Sequence, residues 1–345
     1  MWRLALLPDD RTLVSCAKDG TICLWDASVR HARTARITIP QRVLGWCLSP
    51  DGRSLLTLDP QGQLTRWTGA DFQEHIPVLC VVTNLDAASL PYSLFSGDGR
   101  FLAAGSPNGI LEVWDISRRA LWRRLTNTVD AVLPQAFLAE GKKLVTWQRR
   151  QNLLQEWDLA PGCVIASWKA PAVFSCCRYS PDERLWVGIG YEGAVIVRNL
   201  TDGSSLSRDS IFEASDAAFS PDGKLIAVAS ELGFGRVWEA AAWKSVIKLG
   251  GFLLGTHSVA FSPDGKRLAV GGDGKEALKL WDTGSWQEVL TLEGDSSVFH
   301  RTMFSADGNV VGSCNSSGTL HLWRAASWEE IAAAEANKKE EARQP

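Results

Sequence analysis

Short apolar runs alternate with short polar clusters from one end of the chain to the other. Residues 258–282, SVAFSPDGKRLAVGGDGKEALKLWD, show the pattern most fully. One apolar run ends at Phe261, and Ser262-Pro263-Asp264-Gly265 makes a turn. A second run covers Leu268 to Gly271, and a third ends at Trp281-Asp282. Proline presets φ for the turn, aspartate bonds its own backbone, and glycine takes the positive φ that closes it. Runs this short between Gly/Asp/Pro clusters predict a small antiparallel sheet.

The same sheet recurs along the chain. Its turn slot returns at Pro8, Pro50, Gly97, Ala139, Pro181, Pro221, Pro263 and Ala306. The slot that ends the third strand holds Trp25, Trp67, Trp114, Trp157, Arg198, Trp238, Trp281 and Trp323. Both markers step by roughly 40–47 residues and keep one register, the spacing of a four-stranded repeat unit. The longest step contains extra residues near Cys80 to Pro91. Ala242-Trp243-Lys244, Ser285-Trp286-Gln287 and Ser327-Trp328-Glu329 open the fourth strand of the last three units, and Phe72 stands where those units carry Trp.

With these markers the chain resembles the WD-repeat β-propeller family, in its bacterial style. Leu24-Trp25-Asp26, Val113-Trp114-Asp115, Glu156-Trp157-Asp158, Leu280-Trp281-Asp282 and the SPDG turns at 49–52, 220–223 and 262–265 carry the resemblance. It implies an all-β fold, an eight-bladed propeller of four-stranded antiparallel blades over residues 1–332. The blades fall near 1–40, 41–79, 92–130, 131–170, 171–210, 211–250, 256–294 and 298–332, and the alternative is seven blades plus an extra unit. Family propellers often close by letting an N-terminal strand complete the last blade. Here the sequence order predicts otherwise, with 35–39 as the outer strand of the first blade and Trp328–Ile331 as that of the last. Closure would then rest on side-chain packing between first and last blades, unless something upstream has been lost. Residues 333–345 are predicted to be a frayed helix or disordered, since a short Ala/Glu/Lys segment is marginal alone.

The blades and the C-terminal Trp-Glu-Glu-Ile also resemble the sensor portion of bacterial serine/threonine kinases and related signalling proteins. No Gly-rich loop, HRD or DFG is present, so this resemblance implies a signalling setting and not an activity.

Composition changes the picture little. The 345 residues are 45 % hydrophobic and 22 % charged, with net charge −3, which leaves no footprint for nucleic acid. No run of 18 apolar residues exists, so no membrane span is expected. Leu13-Val14-Ser15-Cys16 fits a lipoprotein cleavage pattern, but Pro8, Asp9, Asp10 and Arg11 interrupt any apolar h-region, so these residues read as a strand. A cytoplasmic monomer is expected. The eight cysteines include no CxxC pair. Strand alternation favours two separate packing thiols at Cys176-Cys177 over a vicinal disulfide.

No residue set carries recognisable chemistry. The five histidines, His31, His75, His257, His300 and His321, lie in different units without partners at ligand spacing. No P-loop and no nucleophile elbow are present. No catalytic, cofactor-binding or metal-binding residue is therefore assigned. The resemblance implies a polar tetrad of His, Ser/Thr, Trp and Asp in each blade, and this chain keeps it poorly. Packing of the 16 tryptophans is expected to compensate.

The function implied is a non-enzymatic interaction scaffold or sensor module that binds a protein or peptide. Its candidate rim, formed by loops between blades and between second and third strands, carries Arg42, Tyr92, Arg149, Arg150, Tyr191, Phe234, Phe252, Leu253, Leu254, His257, Phe299 and His300. The run Gly250 to Gly255 reads either as an exposed apolar anchor or as a loop folded inward, the second being favoured. The alternative is an eight-bladed quinone-cofactor dehydrogenase, which the Cys176-Cys177 pair and the stretch Trp157 to Trp168 resemble. The missing export signal and the SPDG/Trp-Asp pattern stand against it. A propeller hydrolase or lyase would need converging His and carboxylates that the sequence does not show.

Overall fold

The computed structural model describes residues 3–6, 12–16, 22–26, 35–39, 42–69, 72–81, 93–106, 109–126, 131–170, 174–190, 194–210, 213–295 and 297–325. The chain divides into two compact units, Met1–Arg36 with Arg324–Pro345, and Ile37–Trp323.

The larger unit is built from four-stranded antiparallel sheets. Six of them use four consecutive strands each, over residues 45–80, 93–125, 132–169, 174–210, 214–249 and 258–293, here blades I to VI. The first strands of successive blades touch one another in order, so they form the inner wall. The outer strands are mostly exposed, with Ile76 at 60 % and Ile165 at 48 %. Blade VII takes Phe299–Phe304, Val310–Asn315 and Leu320–Arg324 from the end of the chain, and its outer strand is Ala35–Ile39.

This corrects the expected architecture. Among the described residues there are seven four-stranded blades, not eight, and the early strand Ala35–Ile39 does complete the last one. The eight markers count units along the chain correctly, but the outer strand of the first unit is paired elsewhere. Ile37 and Ile39 bury themselves in one cluster with Val310, Leu320 and Leu322 of blade VII and with Trp46, Leu48 and Leu55 of blade I. Shared backbone pairing adds to this packing, which side-chain contact alone would not supply. Val43 N–H donates to Gly318 O at 2.7 Å, and Arg301 Nη1 donates to Leu44 O at 2.6 Å, so blade VII is also tied to blade I.

The smaller unit holds a three-stranded antiparallel sheet, Arg3–Leu6, Thr12–Cys16 and Ile22–Asp26 in that order. Leu13-Val14-Ser15-Cys16 lies in the middle strand, as expected. Trp328–Ile331 and 333–345 lie outside the described residues.

Two local devices repeat through the ring. In six turns a serine hydroxyl donates to the aspartate two residues on, with Ser49–Asp51 at 2.6 Å, Ser220–Asp222 at 2.7 Å and Ser262–Asp264 at 2.6 Å among them. The same serine oxygen accepts the N–H five residues later, which locks the hairpin. The second device is a register shift between third and fourth strands beside the marker tryptophan, seen before Trp114, Trp157, Trp238 and Trp281 and before Arg198. A bulge there twists the strand and re-aims the side chain that follows.

The polar tetrad survives only in part. Trp67 Nε1 donates to Thr57 Oγ1 at 2.8 Å and Trp157 Nε1 to Thr146 Oγ1 at 3.0 Å. Trp114 faces an alanine strand, and its buried Nε1 has no partner. In blade IV the indole has moved one strand inward. Trp186 pairs across from Arg198 and is fully buried.

Candidate functional site

The rim between blades V and VI gathers most of the expected residues. Its loop, 250–257, is pinned from below by Thr256, whose hydroxyl bonds Ser230 O at 2.8 Å and Phe234 O at 3.0 Å. Gly255 is required by close approach, because a Cβ there would lie 2.7 Å from Glu231 O and 2.8 Å from His257 Nε2. The loop splits the two readings made for it. Phe252 folds in, its ring 5.4 Å from Trp281 and under Lys279 Nζ at 5.5 Å. Leu253 and Leu254 face out, 81 % and 54 % exposed. Leu232, 56 % exposed, stands in the neighbouring turn of blade V, where the Gly233 backbone lies against Leu254 O.

Acidic groups border these leucines. Glu213 and Glu231 are exposed on blade V, and Glu213 O accepts the Glu231 N–H at 2.9 Å. On blade VI, Glu276 accepts the Leu253 N–H at 3.2 Å, and Asp273 lies three residues before it. Lys279 is buried between Glu276 at 3.3 Å and Glu288 at 3.2 Å, so its charge is spent internally.

His257 and His300 meet edge to face at 5.4 Å, with Glu231 3.9 Å from His257 Nδ1. Burial holds His257 below the ordinary imidazole range, against the pull of Glu231 and Asp273. Burial of the ring, then the charges of His257 and Arg301, push His300 down to about 4. Both are neutral near pH 7.

The other expected residues are dispersed. Arg149 and Arg150 are exposed at a hairpin tip of blade III. Arg42 is exposed, its stem lying over Gly318. Phe234 is half-buried under Lys248 Nζ at 4.2 Å. Phe299 is fully buried, its ring 5.2 Å from His321, so it presents nothing to a partner. Tyr92 and Tyr191 lie outside the described residues.

A family model described as "WD domain, G-beta repeat" matches residues 1–26, 70–115 and 247–282, the last of which holds this loop and most of blade VI. These three segments are similar to WD repeats. The chain is 28 % identical over 202 residues to "Protein groucho" of Drosophila melanogaster, covering 56 % of this chain and 26 % of that protein. It is 26 % identical over 200 residues to "Transcription factor unc-37" of Caenorhabditis elegans, covering 56 % and 31 %. It is 29 % identical over 120 residues to "Minichromosome loss protein 1" of Schizosaccharomyces pombe, covering 34 % and 14 %. The chain thus spans about a third or less of these relatives' lengths. They come from a fly, a worm and a yeast, so the bacterial style read from the turns has no counterpart among them.

Among the described residues a further concave feature appears that the sequence did not reveal. A cleft of about 280 Å³ is lined by Phe95, Gln135, Phe137, Arg178, Tyr179 and Glu183, from the inner strands and first turns of blades II to IV. It lies at the strand ends opposite the leucine rim. Tyr179 Oη is buried there without a partner. Nearby, Arg178 pairs with Asp216 at 2.7 Å, and Asp216 also accepts the Val259 N–H at 3.2 Å. Cys176 faces Asp216, whereas Cys177 faces Gln135, so the adjacent thiols point to different blades and are not joined. Among the described residues, no group of His, Cys, Asp and Glu is arranged to hold a metal. No helix is long and apolar enough to cross a membrane.

Proposed function

We propose that this chain is a non-enzymatic interaction scaffold that docks a protein segment on the rim of blades V and VI. The observation that carries the reading is the exposure of Leu253 and Leu254 on a loop whose base is fixed by Thr256 and Gly255, beside the exposed Leu232 in the neighbouring turn of blade V. An apolar patch rimmed by charge on a rigid scaffold is the usual form of a docking site. The acidic border of Glu213, Glu231, Asp273 and Glu276 favours a segment with apolar side chains next to lysine or arginine. A signalling setting, a cytoplasmic location and a monomeric state are parts of this proposal.

The test is a peptide array of apolar segments flanked by basic or acidic residues, probed with the purified chain and with Leu253→Asp plus Leu254→Asp. The expected result is binding to the basic set, weakened by salt and lowered about tenfold or more in the variant, the scale of a lost anchor. Equal binding by the variant removes this rim from consideration.

A further inference from the structure

Blade II draws its positive charge from one residue type. Residues 93–125 hold five arginines and no lysine, whereas blades V and VI hold six lysines and two arginines. Two of the five are engaged within the ring, with Arg123 Nε donating to Leu159 O at 2.9 Å and Arg124 Nη2 to Glu112 at 2.6 Å. Arg100 follows the turn between first and second strands, and Arg118 and Arg119 lie in the turn between third and fourth. In an antiparallel sheet those turns share one end, which here is the end away from the leucine rim.

Asp115 holds two of these guanidinia side by side. Its carboxylate accepts from Ser117 Oγ at 2.5 Å and from the Arg118 N–H at 3.1 Å, and its other oxygen pairs with Arg100 at 3.3 Å and Arg118 at 3.8 Å. Burial opposes its ionisation, yet these bonds and Arg100 hold its carboxyl below the usual carboxylate range. Asp115 is 4 % exposed, against 49 % for Arg100 and 73 % for Arg118, so the guanidinia and not the carboxylate face solvent. Asp98 is taken up by its own turn, accepting from Ser96 Oγ at 2.5 Å and from the Arg100 N–H at 3.0 Å.

Arg119 adds a third charge on a strained backbone. It sits at φ 53° in the left-handed slot before the outer strand Ala120–Leu125. Gly162 and Gly203 fill that slot freely in blades III and IV, while in blades I and V it holds Phe72, which is buried, and Trp243, which is stacked on Trp238. Arg119 is exposed, and among the described residues no carboxylate pairs with it. Strain that no packing offsets is kept where a site uses the side chain.

We propose that Arg100, Arg118 and Arg119 form a second docking site, independent of the leucine rim, which takes an acidic protein segment. A planar guanidinium fork matches a carboxylate in a way that a lysine ammonium does not. Two short turns give a nucleic acid backbone too little track, and Asp98 and Asp115 beside them repel a continuous line of phosphates.

Fluorescence anisotropy tests this on the purified full chain with three probes: a labelled peptide of glutamate and aspartate between glycines, its glutamine and asparagine twin, and an oligothymidylate. The acidic peptide is expected to bind, more weakly as salt is added, and the twin to stay free. Arg100→Gln plus Arg118→Gln should weaken binding about tenfold, and Arg119→Gly about threefold, the scale of exposed ion pairs. In Arg119→Gly the melting temperature should hold or rise, because glycine takes the left-handed slot freely. Leu253→Asp plus Leu254→Asp should leave this binding unchanged. Absence of binding by the acidic peptide, equal binding by the arginine variants, or preference for the oligothymidylate overturns the proposal. So does a fall in the melting temperature of Arg119→Gly, which would make the side chain a prop of the fold.

Discussion

At the scale of single residues, the serine of each first turn does two jobs at once. Ser262 Oγ donates to Asp264 and accepts the Arg267 N–H at 2.9 Å. Ser262→Ala removes both bonds from a buried position, a loss of about 1–2 kcal/mol that urea denaturation would measure. The serine hydroxyl is also the main reason that Asp51, Asp182, Asp222 and Asp264 titrate below the usual carboxylate range. Their folded pKa lies below the unfolded one, so this stabilisation is present above about pH 4 and fades as the pH falls further. In Ser262→Ala the Asp264 carboxyl should move back up, which carbon NMR of the carboxylates would record. An unmoved Asp264 would mean that the backbone N–H of Lys266 holds it alone.

At the scale of one element, the turn into the outer strand needs a left-handed residue. Gly162 and Gly203 meet that need in blades III and IV, while Phe72, Arg119, Trp243 and Trp286 meet it elsewhere at φ between 49° and 57°. A non-glycine residue there costs about 1 kcal/mol, which the Trp238–Trp243 stack at 4.8 Å and 8° offsets. Trp243→Gly and Trp243→Ala should both lower the melting temperature. The alanine variant should be worse by about 1 kcal/mol, because it keeps the strain and loses the stack. Equal variants would show that the turn is not strained. This gives a reason in blade V for a marker that the sequence displayed without one: the Trp243 ring folds back on the third-strand indole of Trp238. It also shows where local reading failed. Phe299 looks like a loop residue beside His300, yet it begins an inner strand and is buried. Leu232 is a lone apolar residue in a turn and gave no periodic signal, although it stands exposed beside the loop of Leu253 and Leu254.

At the scale of the whole molecule, the ring depends on five residues. Ile37 and Ile39 are 6 % and 1 % exposed, and burying each contributes about 1.5–3 kcal/mol. Ile39→Asp should therefore unfasten blade VII first, with Leu320–Arg324 losing exchange protection while the middle of blade III keeps it. Uniform loss across all blades would instead indicate a single cooperative unit. The number of repeat units was legible because turn and tryptophan slots are local and periodic. The number of blades was not, because Ala35–Ile39 reads as an outer strand whichever sheet it joins. Its choice depends on a partner far away in sequence, and no neighbouring residue encodes that partner. The cleft at blades II to IV escaped for the same reason, since each of its walls comes from a different repeat.

The fastening strand is made early and needed late. Within this sequence Ala35–Ile39 is synthesised before most of the ring, and the edge it joins, Leu320–Arg324, comes after blades I to VI. Roughly 280 residues separate them, so at 5–20 residues per second the strand waits on the order of 15–60 s for its mate. During that interval Ile37 and Ile39 have no cover from blade VII. A nascent chain stalled before residue 320 should therefore recruit chaperones at Ala35–Ile39, while blades that have already emerged need none.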